Sequence, residues 1–229
     1  RAETLDIFPA KITSSPIHIF FHGGYWHSLT SRDFAFVAEG LVRNGITAVL
    51  VNYALCPTVN IDEIVRQSRA AVAWTYRNAE TFGGNPERIS VSGHSAGGHL
   101  TGMLLTAEWE KDYGLPANLI NGLLLVSGLF DLAPFPLSWL QTELQLTSEE
   151  VLRNSPLLLK PVYSPPVIVA VGADESQEFQ RQSEVYAKYL QKYGVPVEYQ
   201  LIPGKNHFNI IHDYLGEGGP LCKKIIEWK

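Results

Sequence analysis

Cysteine is nearly absent from this chain, with Cys56 and Cys222 the only two among 229 residues. So few thiols cannot form a disulfide framework, so an apolar core must hold the fold together. Both are expected as buried thiols in a reducing, cytoplasmic compartment. Charge is sparse as well: Asp, Glu, Lys and Arg make up 18% of the residues, with a formal net charge of −5. That acidic balance argues against nucleic acid or an anionic membrane surface as the main partner. No apolar run approaches the roughly 20 residues of a membrane span, and nothing in the residues given reads as a signal peptide. Internal repeats and low-complexity tracts are missing too. The remaining composition, 45% hydrophobic, is that of an ordinary globular protein. The length allows a substantial core in one domain spanning 1–229.

Apolar strand-like runs alternate with amphipathic helix-like segments along the chain. Strands are expected near 5–8, 17–21, 46–53, 88–92, 122–127, 166–171 and 197–202. Near-continuous apolar runs such as Ile17-His18-Ile19-Phe20-Phe21 fit parallel strands covered on both faces. The spacing predicts helices over 32–44, 61–79, 96–106, 177–193 and 219–228. This alternation predicts an α/β fold: a mostly parallel central sheet with helices on both faces. Residues 131–165 break the rhythm with several prolines and one helical patch near 148–153. They are expected to form a small lid over the strand ends rather than a second domain.

Gly93-His94-Ser95-Ala96-Gly97 fits G-x-S-x-G and lies between an expected strand and an expected helix. In that setting the serine sits on a strained turn with its hydroxyl exposed, and the flanking glycines avoid clashes with strand and helix. The bland reading, a glycine-rich turn that merely contains serine, fits the setting less well. A serine hydroxyl needs a base oriented by an acid, and with this elbow the partners follow in the order Ser, Asp or Glu, His. His207, in the loop after the last expected strand, is the expected base. For the acid, Asp174 follows the strand over 166–171 and is preferred. Asp131, after the preceding strand, and the adjacent Glu175 are the competitors. His22-Gly23-Gly24-Tyr25-Trp26, after an earlier strand, offers backbone N–H groups of Gly23 and Gly24 that would join Ala96 in an oxyanion hole. The histidine pairs His22/His27, His94/His99 and His207/His212 sit five apart. That spacing does not place two ligands on one helix face, so no metal is expected.

With these residues in place, the chain resembles the α/β-hydrolases. Within them it is similar to the serine-dependent kynurenine formamidases (arylformamidases) and their esterase relatives. His22-Gly23-Gly24-Tyr25-Trp26 resembles that family's H-G-G-x-W element, and Gly93-His94-Ser95-Ala96-Gly97 with Gly98-His99-Leu100 matches its elbow. The run from Asp174 to Ser183 looks like its acid loop, D-S-x-E-F-x-R-Q-S, and Asn206-His207-Phe208 resembles its base loop. The resemblance covers nearly the whole chain. It implies an α/β-hydrolase fold, a Ser95, Asp174, His207 triad and an oxyanion hole at Gly23, Gly24 and Ala96. It also implies hydrolysis of N-formyl-L-kynurenine to kynurenine and formate in tryptophan catabolism. A general short-chain carboxylesterase is the alternative, and a non-catalytic hydrolase-fold binding protein a more distant one.

The expected partner is a small-molecule substrate, with no cofactor, nucleic acid or membrane, and a homodimer is left open. Tyr25, Trp26, Phe130, Trp139, Phe179 and Phe208 fall in or near strand-end loops or the lid, where they could stack on an aryl ring. Arg32, Arg181 and Lys205 are only candidate partners for a substrate carboxylate, and each fits a solvated surface charge better.

Overall fold

The computed structural model describes residues 2–215 and 219–228. Seven strands form one sheet: β1 (Thr4–Phe8), β2 (Ser15–Phe21), β3 (Thr47–Asn52), β4 (Gly84–His94), β5 (Ile120–Val126), β6 (Val167–Gly172) and β7 (Val197–Ile202). They lie in the order β1-β3-β2-β4-β5-β6-β7. β1 runs antiparallel to β3, and every other pairing is parallel.

The period-2 geometry of a strand explains why the central runs are apolar throughout. Leu123 and Leu125 of β5, with Val167 and Val169 of β6, face one apolar cluster. Leu124, Val126, Ile168 and Ala170 face a second cluster on the other side. Each fully buried aliphatic side chain contributes about 1.5–3 kcal/mol of transfer free energy. Polarity on either face is therefore costly unless it is paired.

Helices cover both faces. α1 (Val37–Arg43) and α8 (Pro220–Ile226) pack on the second cluster through Val37, Leu41, Leu221 and Ile225. α2 (Ile61–Asn78), α3 (Ala96–Leu104) and α7 (Gln177–Lys192) cover the first. α2 begins at Asn60, whose side chain accepts from the Glu63 N–H at 3.1 Å, and buries Ile61, Ile64, Val65 and Val72.

The expected helix over 32–44 is divided. Thr30 and Asp33 close a capping box around a 3-10 turn, Ser31–Phe34, and the α-helix starts only at Val37. The tight turn directs Phe34 towards Phe20 and His22, at ring distances of 5.8 and 5.9 Å. A short helix, α4 (Trp109–Tyr113), had no clear periodicity to announce it.

Residues 131–165 carry two helices, α5 (Gln141–Leu144) and α6 (Ser148–Asn154), with 3-10 turns at Phe135–Leu137 and Pro156–Leu158. α6 has a Thr147/Glu150 capping box and is tied to α2 by a two-point Arg153–Asp62 ion pair at 2.6 and 2.9 Å. Among the described residues, no helix is long and apolar enough to cross a membrane.

Candidate active site

Five neighbouring parallel strands each deliver something to one end of the sheet. The loop after β2 supplies residues 22–26, β4 leads into Ser95, β5 into Ser127, β6 into Glu175 and β7 into His207. The C-terminal ends of parallel strands are where open α/β sheets place their ligands.

Ser95 lies between β4 and α3 with φ 59° and ψ −118°, a strained conformation for a residue with a side chain. Neighbouring glycine makes that turn sterically feasible: a Cβ on Gly97 would lie 1.9 Å from the Phe21 carbonyl oxygen. The Ser95 N–H is fixed by the Val126 carbonyl at 2.9 Å. The Ala96 N–H, first in α3, has no intrahelical acceptor and lies at the positive end of the helix dipole. Gly23 sits directly against the nucleophile: a Cβ there would come within 3.1 Å of Ser95 Cβ and of the His94 carbonyl.

The Ser95 hydroxyl is 3.0 Å from His207 Nε2, and His207 Nδ1 is 2.8 Å from Glu175 Oε2. An ionised carboxylate only accepts, so Nδ1 carries the ring proton. Nε2 is then the acceptor for the Ser95 hydroxyl. That is the tautomer a general base requires. The base loop is shaped by Asn206, whose side-chain oxygen accepts from the Phe208 and Asn209 N–H groups at 2.9 and 3.0 Å.

The expected acid is therefore corrected. Asp174 is exposed on the cavity wall, and its backbone N–H donates to the Lys205 carbonyl at 2.9 Å. Glu175, one residue on, turns inward and is buried. Its Oε1 accepts from the Ser127 hydroxyl at 2.5 Å and from the Gly172 N–H at 2.8 Å, which leaves Oε2 for His207. The signal was present in the acid-loop pattern. Aligning its S, E, F, R, Q and S on Ser176, Glu178, Phe179, Arg181, Gln182 and Ser183 puts its acid at Glu175. Asp131, the other competitor, caps its own turn by accepting from the Ala133 N–H at 3.0 Å. Ser127 had no local signal at all, because its contact spans 48 positions of sequence.

Four further histidines are buried and held neutral. Burial lowers His18 to about 3, His22 to about 4 and His99 to about 4. It also lowers His94 to about 3, with the adjacent His207 ring adding to the effect. Each has a structural partner. His18 bridges Ser90 and Ser92 at 2.7 and 2.6 Å, and His22 donates to the Gly23 carbonyl at 2.7 Å. His94 donates through Nε2 to the His207 carbonyl at 2.9 Å, holding the base loop over the elbow. His99 donates to the Asn154 carbonyl at 2.7 Å and accepts from the Trp26 indole at 3.1 Å, which ties the segment 131–165 to α3. Among the described residues, no group of three or more His, Cys, Asp or Glu is arranged to hold a metal ion.

Above Ser95 lies an open cavity of about 530 Å³ whose lining includes Gly23, Gly24, Ser95 and His207. Of the six aromatic residues expected there, Tyr25, Phe179 and Phe208 line it. The Phe179 ring lies tilted against the His207 ring, with centroids 4.2 Å apart. The other three are corrections. Trp26 is fully buried and spent on His99 and Phe135, and Phe130 is buried on the Tyr186 ring at 4.2 Å. Trp139 is 72% exposed and meets His27 edge-on, outside the cavity. Leu29, Phe34 and Ile211 complete the apolar wall and were not foreseen. Leu29 comes from the loop after β2, and the other two from 3-10 turns whose spacing carries no amphipathic period. A smaller cleft of about 230 Å³ opens beyond Tyr25 and Phe179 towards Phe135, Ser138 and Glu178.

Residues 18–210 match a family model described as the alpha/beta hydrolase fold. The chain is 36% identical to a kynurenine formamidase of Salmo salar, covering 92% of this chain and 72% of that one. It is 34% identical to a kynurenine formamidase of Danio rerio, covering 99% and 78%. Among solved structures it superposes on an esterase of Pyrobaculum calidifontis with a TM-score of 0.83 at 20% identity, covering 98% of this chain and 80% of that chain.

Proposed function

The chain belongs to the α/β-hydrolase family, and from that premise we propose that Ser95, His207 and Glu175 form the triad of an arylformamidase acting on N-formyl-L-kynurenine. It is a hydrolase, and its formamidase relatives, at 34–36% identity over most of the chain, support this reading over a general short-chain carboxylesterase. The observation that carries the triad is the unbroken line Ser95 Oγ, His207, Glu175, at 3.0 and 2.8 Å, at the wall of an open cavity.

The chemistry follows from that line. His207 Nε2 takes the Ser95 proton as Oγ attacks the formyl carbon. The developing oxyanion is held by the N–H groups of Gly23, Gly24 and Ala96, each such donor being worth about 100- to 1,000-fold in rate. His207 then gives its proton to the leaving aryl amine, and the C–N bond breaks to leave formyl-Ser95. Water, deprotonated by His207, releases formate and restores the serine. Glu175 fixes the imidazole tautomer and stabilises its cation.

The cytoplasm is the proposed compartment, supported by the free, buried thiols of Cys56 and Cys222. The function is tested by kcat/KM for N-formyl-L-kynurenine beside p-nitrophenyl acetate, with Ser95→Ala as control. A formamide value at or above about 10⁴ M⁻¹s⁻¹ is expected. Rapid ester turnover with negligible formamide turnover would leave the triad standing and overturn the formamidase reading.

A further inference from the structure

We propose that Asp174 sets the charge preference of the cavity, so that the enzyme selects acyl compounds whose leaving group carries a cation, such as an ammonium. This deepens the reading above and rests on the serine-hydrolase site, but not on the formyl group. It assigns the amino-acid head of an N-formyl aromatic amine to recognition through its ammonium rather than through its carboxylate.

Every other charge around the site is matched. The three cations that the sequence offered for a substrate carboxylate do not line the cavity. Arg181 is spent on Glu178 in a two-point pair at 2.7 Å and also lies 3.7 Å from Asp131. Lys205 is paired with the buried Asp213 at 2.5 Å. Arg32 is exposed on the 3-10 turn before α1. Among the described residues, neither Lys nor Arg lines the catalytic cavity or the adjoining cleft. Glu178, the charged residue of that cleft, is neutralised by Arg181, and Glu175 is matched by the imidazolium that forms during reaction.

Asp174 alone is left over. Asp174 lines the cavity and is exposed, and its carboxylate makes no hydrogen bond or ion pair to another described residue. Its backbone is anchored to the base loop through the Lys205 carbonyl, so the charge is held beside the reacting centre. Around the same cavity stand Tyr25, Phe179 and the 80%-exposed Phe208. Their ring faces attract a cation and not a carboxylate. An anionic leaving group would meet a like charge with no guanidinium or ammonium beside it to offset the repulsion.

The test compares aryl acetates that differ only in a para substituent: trimethylammoniomethyl, its neutral isostere neopentyl, and carboxymethyl. Active sites are counted by fluorophosphonate titration, so a poorly folded variant does not distort the rates. The cationic-to-neutral ratio of kcat/KM in wild type is divided by the same ratio in Asp174→Asn, which cancels the intrinsic reactivity of each ester. We expect this double ratio to be about two- to fivefold, the scale of an exposed charge pair. It should grow in Asp174→Lys and shrink as salt rises from about 50 to 500 mM. The carboxymethyl ester should gain relative to the neutral one in both variants. A double ratio of one, or a wild-type preference for the anionic ester that persists in Asp174→Asn, would overturn the proposal. Because acetates report on it, a failure of formamide turnover leaves this outcome readable.

Discussion

The elbow after β4 and the acid loop after β6 each place one residue of the triad, and they do so by different means. At the elbow, geometry is built locally. Ser95 takes a φ of 59° because Gly97 allows the helix to close against Phe21. Around it lie the four buried neutral histidines: His94 and His99 in the elbow segment itself, His18 hydrogen-bonded to Ser90 and Ser92 of β4, and His22 stacked on Tyr53 and bonded to the Gly23 carbonyl. At the acid loop, two carboxylates stand side by side, and the local chain does not settle the choice by itself. The choice is completed by groups distant in sequence: the Ser127 hydroxyl and the His207 ring converge on Glu175, beside the nearby Gly172 N–H. A nucleophile can thus be encoded by a turn, whereas its acid is selected by neighbours.

The comparison can be broken most severely at the nucleophile. Ser95→Ala should lower kcat by roughly 10⁵- to 10⁶-fold, measured under single-turnover conditions, because the other triad members act only through Ser95. Residual activity within tenfold of wild type would remove Ser95 from its role.

Acid should expose the elbow's dependence on neutral histidines. His18, His22, His94 and His99 all have folded-state values lowered to between about 3 and 4, below the ordinary value near 6.5. The unfolded chain therefore binds more protons, and stability falls as pH drops below about 6.5 towards those values. Between pH 7.5 and 5.5 each histidine should cost on the order of 1 kcal/mol, so the losses accumulate over the four. Urea midpoints across that range should decline steadily, and a flat profile would contradict the burial of these rings as neutral species.

At the acid loop, Glu175→Gln should lower kcat by about 10³- to 10⁴-fold, since an amide cannot hold the imidazolium or enforce its tautomer. Asp174→Asn should lose no more than about fivefold on a neutral ester. The reverse pattern would restore Asp174 as the acid.

An effect smaller than that of Glu175→Gln sharpens the same contrast. Ser127→Ala removes one of two donors to Glu175 Oε1, so kcat should fall about tenfold with KM little changed.

Much of this was legible in advance. Apolar runs marked all seven strands, and those at the centre of the sheet were the most continuous because buried parallel strands tolerate little polarity on either face. The elbow and the H-G-G-Y-W loop were visible as short motifs, since backbone strain and close approach demand glycine at fixed positions. Trp26 and Phe130 misled because an aromatic residue near a strand end fits a cavity wall and a packed core equally well. Phe34 and Ile211 were overlooked because 3-10 turns carry no amphipathic period.

What the sequence determined by itself is the alternation that makes the sheet, the strained turn that presents Ser95 and the loop position of His207. These depend on residues adjacent in the chain, whose steric and hydrophobic demands act locally. The acid-loop pattern already pointed to Glu175 over Asp174. Tertiary structure alone decided that Ser127 braces it and that Asp174 is left at the cavity without a partner among the described residues. The reason is that a buried carboxylate must find its donors wherever the fold brings them. Here they come from the ends of three different strands.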